Sequence, residues 1–398
     1  MTRSVDVLRF RWLVLGVFVL SSAINYLDRQ TLAMLAPVLR AEFRLSNTDY
    51  GLILAAFSVT YAVSAPFAGM LIDRVGLNRA ASLAVGLWSC AGIATGFTTG
   101  LAGLVGCRAV LGSAEAAGIP SAGKAIHQYL RPAERALGNA VNQAGVSLGM
   151  ILAPPVATYL AVRAGWRQAF VVTGILGLIW IPIWQWTSGR ARVAPTTKLS
   201  SGAGAEMLAD HRMWAFVTAN ALSMVGYSLW TNWTTLYLVE VHGLTLVQAA
   251  WYSWIPPVLA AVGGVSGGWL SLRLVDRGQS ALPARFRVCV AASVVSLATA
   301  AIPLAPGAAW AAAGISLSIF AISAFSVNMY TMPLDAFGGQ RAAFAVSILV
   351  ASYGGVQAVV SPVFGRVIDL YGYAPLTAAA ALTPLAACVV LRGTRSNR

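Results

Sequence analysis

Charge is what this sequence has least of. Only 10% of its 398 residues are charged, against 58% hydrophobic. A soluble chain of that make-up would lack the polar surface to stay dissolved, whereas a bilayer asks for apolar side chains outside. Cysteine is scarce too. Cys90, Cys107, Cys289 and Cys388 stand singly inside apolar runs with no CxxC pair, which predicts buried small hydrophobes and argues against metal or redox chemistry. The three histidines, His127, His211 and His242, have no metal-ligand spacing. No nucleophile stands with a base, so an enzyme is not expected, and no cofactor is implied beyond protons as a coupling ion. Acidic residues number 13 against 27 basic ones, a formal charge of +14. The basic residues sit in short clusters between apolar runs, not on a face interleaved with aromatics, which excludes nucleic acid as a partner.

What the chain has is long uncharged stretches. About 20 apolar residues cross a bilayer as a helix. Candidate spans are 12–35, 50–72, 80–98, 101–127, 136–161, 168–188, 213–239, 249–271, 287–304, 308–332, 342–365 and 373–391. The stretch from Val288 to Leu334 holds two helices, turned at Pro303 to Gly307, and Arg79 to Arg108 breaks near Gly96 to Gly100. The first span is basic and then apolar like a signal peptide, yet Asp28-Arg29 follows it without a cleavage site, so it reads as a retained helix. With both termini cytoplasmic, the inner loops collect Arg74, Arg79, Arg131, Arg135, Lys198, Arg273, Arg285, Arg341 and others, and the outer loops hold only Arg40, Arg44, Arg163, Arg167 and Arg366.

The expected fold is an all-α membrane protein of twelve transmembrane helices in two six-helix bundles. Residues 1–189 and 213–398 form the bundles, and 190–212 form a cytoplasmic connector rich in Pro, Thr, Ser and Gly. A parallel repeat crosses that split: eleven residues separate Pro155 from Trp166, and eleven separate Pro362 from Tyr373. Two similar halves around a central cavity describe a transporter. Two other patterns carry nothing catalytic. Gly263, Gly264, Gly267 and Gly268 read as a close-packing surface, and the sequon at Asn232 falls mid-membrane.

Four ionisable residues lie well inside spans: Asp28, Arg29, Arg108 and Glu115. Each costs roughly 2.5–3.5 kcal/mol at a helix centre. Together they amount to on the order of 10 kcal/mol, a whole domain's stability, so they must face a cavity or one another. Ser22, Asn25, Tyr26 and Arg29 form an i, i+3, i+4, i+7 stripe on the first helix. Arg108 and Glu115, seven apart, share a face of the fourth at a separation of about 10.5 Å along the axis, where they can pair directly or through water. A guanidinium facing a cavity suits a carboxylate substrate, and a buried carboxylate suits a proton. Structural ion pairing between the first and fourth helices is the alternative. From the second half, Tyr227, Asn328, Tyr330 and Gln357 are candidates for hydrogen bonds to substrate.

Gly69-Met-Leu-Ile-Asp73-Arg74-Val-Gly76-Leu-Asn-Arg79 resembles the signature loop of the major facilitator superfamily, where Asp73 would lock to a neighbouring helix end. Arg108 with Gly112 resembles its second motif, and Gly145, Gly149 and Pro154 part of a third. The second copy of the loop has Leu272 in place of an acid. A narrower resemblance is to the anion:cation symporter family, which includes hexuronate, galactonate and glucarate carriers and the vesicular glutamate and sialic acid carriers. It is carried by Asn25-Tyr26-Leu27-Asp28-Arg29, Tyr61, and the stretch RAVLGSAEAAGIPSAGK from Arg108 to Lys124. Tyr330 and Ala351 stand where that family often has Trp and Asn. The resemblance implies proton-coupled import of a small carboxylate, a sugar acid, by a monomer in a bacterial inner membrane. Arg29 would hold the carboxylate, Tyr26 and Tyr61 would contact it, Glu115 and Asp28 would take protons, and Arg108 would tune Glu115. An efflux antiporter of the same fold is the nearest rival, and a transporter-like sensor a remote one.

Overall fold

The computed structural model describes residues 2–131, 134–191, 209–337 and 342–393. Everything regular among them is helical. The first half holds α1 (Thr2–Phe43), α2 (Asn47–Val75), α3 (Leu77–Thr95), α4 (Leu101–Glu115), α5 (Gly118–Tyr129), α6 (Arg135–Ala164) and α7 (Trp166–Arg190). The second holds α8 (His211–His242), α9 (Leu246–Ser253), α10 (Ile255–Asp276), α11 (Ala281–Ser296), α12 (Ala308–Phe337), α13 (Ala342–Tyr371) and α14 (Ala374–Gly393). A 3-10 stretch, Leu297–Leu304, extends α11. Counting α4 with α5 and α9 with α10 as single broken spans gives twelve.

Ten of the twelve are long and apolar enough to cross a membrane. The other two are α3, whose first turn carries the polar Asn78 and Arg79, and α8, which carries polar residues that find partners within the protein. Asn220 donates to Leu349 O at 2.9 Å and to Ser352 Oγ at 2.8 Å, and Asn232 donates to Ser228 O at 2.9 Å. Buried amides satisfied this way lower hydropathy without breaking the span. The fourth span breaks where one continuous helix was expected. Pro120 has no N–H to give the Ala116 carbonyl, so α4 stops at Glu115 and α5 restarts at Gly118.

Glycine closes several helix junctions. Gly165, between α6 and α7, has φ +89°, and Gly372, between α13 and α14, has φ +71°. Both follow 30-residue helices with a proline inside, so the sequence repeat is also a backbone repeat. A side chain at these angles is strained, which is why glycine stands there.

The chain forms two compact units, Met1–Leu45 with Leu52–Lys198, and Ser46–Gly51 with Leu199–Arg398. The expected connector lies mostly outside the described residues, at 192–208. In the first unit Trp180 and Trp184 stack at 5.4 Å, and Phe18 meets Trp184 edge-on at 5.4 Å. Close helix approach depends on Gly145 and Gly149 of α6, where a Cβ would strike Val19 and the Ala23 carbonyl of α1. In the second unit Met213, Phe216, Phe325, Met329 and Leu349 are buried together. Arg285 and Asp335 pair at 2.5 Å between α11 and α12. The Asp369 carboxylate of α13 accepts from the Asn47 and Thr48 N–H groups at 3.0 and 2.9 Å, satisfying donors at the start of α2.

Two expectations need correction. Of the cysteines only Cys289 and Cys388 are buried; Cys90 is exposed and Cys107 half-buried. A membrane helix can carry apolar side chains on its outer face, so an apolar run does not by itself mean burial. The glycine surface of α10 is used on one line only. Gly263 and Gly267 meet the backbone of α12, whereas Gly264 and Gly268 face open space.

Candidate functional site

Arg29 projects from α1 and meets Glu115, the last residue of α4. Its Nη2 lies 2.6 Å and its Nε 3.1 Å from the same Glu115 oxygen, Oε2. The Glu115 side chain is fully buried, and that of Arg29 is 23% exposed. Three aromatic rings surround the guanidinium, with centroids 4.9 Å away for Tyr26, 4.6 Å for Phe57 and 5.6 Å for Tyr61. Each such contact supplies about 0.5–2 kcal/mol. Phe57 and Tyr61 are four apart on α2 and stack on each other at 5.8 Å. Gly112 sets how closely α2 approaches, because a Cβ there would overlap the Phe57 carbonyl.

Asp28 points elsewhere and is buried, with 2% exposure. Thr173 of α7 donates its hydroxyl to Asp28 Oδ1 at 2.8 Å. From α3, a Cβ on Gly92 would stand 3.3 Å from both carboxylate oxygens. Arg108 is also buried, and its guanidinium lies 5.8 Å from the Phe170 ring. Of the two pairings the sequence left open, along α4 or between α1 and α4, the ion pair that Glu115 makes with Arg29 is the interhelical one. Residues seven apart on one helix remain separated along its axis, and partners at matching depth on α1 compete successfully.

The remaining expected residues each have neighbours within their own unit. Asn25 is buried beside Ser22, whose hydroxyl donates to Asn142 Oδ1 at 2.8 Å. Tyr227 meets Tyr353 edge-on at 6.0 Å, and Gln357 is half-buried. Tyr330 is half-buried against the second unit's core. Asn328 is fully buried, and its amide donates to Gly267 O at 3.1 Å and Ala324 O at 2.9 Å, which ties α10 to α12. In the signature loop, Gly76 has φ +84°, Gly69 faces open space, and Arg74 and Arg79 are exposed. The Asp73 side chain lies outside the described residues. Lys124 donates to Ile72 O at 3.1 Å, where a cation suits the end of α2. Sequence reasoning missed Phe57, Gly92, Phe170 and Thr173, which are apolar or common residues whose role comes only from what packs against them.

With the geometry described, known proteins can be compared. The profile of the Major Facilitator Superfamily matches residues 18–354. The chain belongs to this superfamily. Major facilitator proteins are transporters and not enzymes, and this one is a multi-pass membrane protein. It is similar to the hexuronate transporter of Escherichia coli strain K12, with 26% identity over 98% of this chain and 94% of that one. It is also similar to the probable sulfoacetate transporter of Cupriavidus necator, 29% identical over 92% and 89% of the two chains. The galacturonate transporter of Dickeya chrysanthemi is 27% identical over 66% of this chain and 81% of its own. Among solved structures, a bacterial homolog of the human lysosomal transporter Spinster, in an inward-facing and occupied conformation, superposes with a TM-score of 0.76. It covers 96% of this chain and 95% of its own at 22% identity, which establishes the common fold.

Proposed function

We propose that this major facilitator protein is a proton-coupled symporter that imports a small organic anion, with a sugar acid the first class to test. One observation carries the reading: Arg29 spends both Nε and Nη2 on a single oxygen of Glu115 inside a ring of three aromatics. A guanidinium offers a planar fork that fits a carboxylate. A substrate carboxylate entering from the exposed side of Arg29 therefore competes with Glu115 for the same donors. Once displaced, a buried Glu115 is costly as an anion and takes up a proton. Anion binding and protonation then become one event. On release of the substrate, Glu115 returns to Arg29 and gives up the proton.

Tyr26 and Tyr61 would contact the substrate beside Arg29, and the buried Asp28, with the buried cation Arg108 to balance its charge, would hold a further proton. Tyr227, Tyr330 and Gln357 are the proposed contributors from the second half. The relatives transport hexuronate and galacturonate by name, which supports a sugar acid, and the sulfoacetate relative extends the class to small anions without a sugar ring. Their bacterial sources support a bacterial inner membrane, with the protein working as a monomer. A thermal-shift screen of purified protein tests the substrate class, since a ligand of the folded state raises its apparent stability. Stabilisation by hexuronates or small carboxylates and none by lipophilic cations is the expected result. The reverse pattern would favour the efflux reading.

A further inference from the structure

We propose that Thr173 is a positioning residue for Asp28, a hydroxyl that serves this carboxyl group both with and without its proton. The proposal rests on the reading of Asp28 as a proton-holding group. Thr173 Oγ1 stands 2.8 Å from Asp28 Oδ1 and 3.1 Å from the Phe170 carbonyl oxygen, so two acceptors compete for one hydrogen. A hydroxyl has one proton to give and two lone pairs. When Asp28 is a carboxylate it can only accept, and the Thr173 proton goes to it. When Asp28 is protonated, its O–H can donate to Thr173 Oγ1, and the Thr173 proton turns to the Phe170 carbonyl. Rotation about one C–O bond therefore satisfies either state, and neither leaves a buried polar atom stranded at that oxygen.

The surroundings fit this role. The charged groups that act on Asp28 are Arg108 on α4 and Arg29 beside it on α1, while Glu115 on α4 is the acid coupled to it. From α7 comes Thr173, and from α3 comes Gly92, which brings no side chain. A Cβ at Gly92 would press on both carboxyl oxygens at 3.3 Å, so glycine there leaves the group room to reorient. The two hydrogen bonds are unequal. The bond to the carboxylate is charge-assisted and roughly twice as strong as the neutral one, so Thr173 biases Asp28 towards its charged form.

Infrared difference titration of the purified protein needs no identified substrate. The protonated carboxyl band that disappears in Asp28→Asn is followed against pH in the wild type, Thr173→Val, Thr173→Ala and Thr173→Ser. Val is close to isosteric with Thr, and Ala carries the same expectation if the Val variant does not fold. The midpoint in the Val or Ala variant should move to higher pH by about one unit, the size that one charge-assisted hydrogen bond supports, and Ser should restore it. Midpoints in Val and Ala equal to the wild type would overturn the role of Thr173. So would a shift that Ser fails to reverse, since packing and not the hydroxyl would then be responsible. A titration with no band assignable to Asp28 would overturn the proton-holding reading of Asp28, and this proposal with it.

Discussion

Arg29 and Glu115 face each other across α1 and α4, and conservative replacements of the two should fail in different ways. Arg29→Lys keeps the charge but loses the fork that holds one oxygen through two nitrogens. A charge-assisted hydrogen bond is worth about 1.5–3 kcal/mol, so uptake should fall roughly 10- to 100-fold in a protein that still folds. Near-normal uptake in reconstituted liposomes would remove Arg29 from the site. Glu115→Gln removes the anion that competes with substrate for Arg29. This variant should bind substrate at least as tightly and exchange it in counterflow, yet lose accumulation driven by an inward proton gradient. Undiminished gradient-driven accumulation would move the coupling proton to Asp28. Both residues were legible in the sequence because a charge in a hydrophobic run demands explanation. Ion pairing between their two helices was legible as an alternative, but which acid meets which base was not, because helical spacing reports neighbours along one helix and is silent about a second helix at the same depth.

Glycines within one element can be told apart only by what lies opposite. On α10, a Cβ at Gly263 would overlap the Phe320 carbonyl, whereas one at Gly264 meets open space. Gly263→Ala should therefore destabilise the purified protein by about 1–3 kcal/mol, the usual cost of overpacking. Gly264→Ala should be neutral, or stabilising by up to about 1 kcal/mol through better helix propensity. Thermal melts of the two variants in one detergent check the contrast, and equal effects would contradict the packing described. The start of α8 offers a second case. Asp210 accepts from the Arg212 N–H at 2.8 Å as N-cap, and hydrogen bonds from Arg212 hold its carboxyl below the usual carboxylate range. Asp210→Ala should cost about 1 kcal/mol. Because the folded group is depressed, that contribution is present above the ordinary carboxylate range and is lost as pH falls through the depressed value. The difference between wild type and variant melts should accordingly shrink in acid.

For the whole molecule, the excess of Lys and Arg in alternate loops predicts an orientation. On that reading we expect both termini and the connector near Lys198 in the cytoplasm, and the turn at Gly307 outside. Cysteines introduced at 198 and 307, in a background with Cys90, Cys107, Cys289 and Cys388 replaced by alanine, should divide cleanly. A membrane-impermeant thiol reagent added to intact cells should reach position 307 and miss 198. Labelling at 198 would invert the topology and exchange the loops that carry the signature motif.

Hydrophobic runs, basic loops and the Pro-to-Gly repeat sufficed for the all-helical class, the twelve spans and the two-fold internal repeat. All are properties that a bilayer imposes on each segment separately, with no long-range contact needed to express them. Gly112, Gly145 and Gly149 stood out in the sequence only as parts of motifs, and their packing role came from what lies opposite them. What only the tertiary structure decided was partnership. It decided that Glu115 turns to Arg29 and that Phe57 floors the guanidinium. It decided also that Asn328 is occupied by backbone carbonyls and that a threonine on α7 reaches an aspartate on α1. Each depends on the rotation and depth at which separate helices pack. Small steric contacts set those quantities, and they leave no period or composition in the chain.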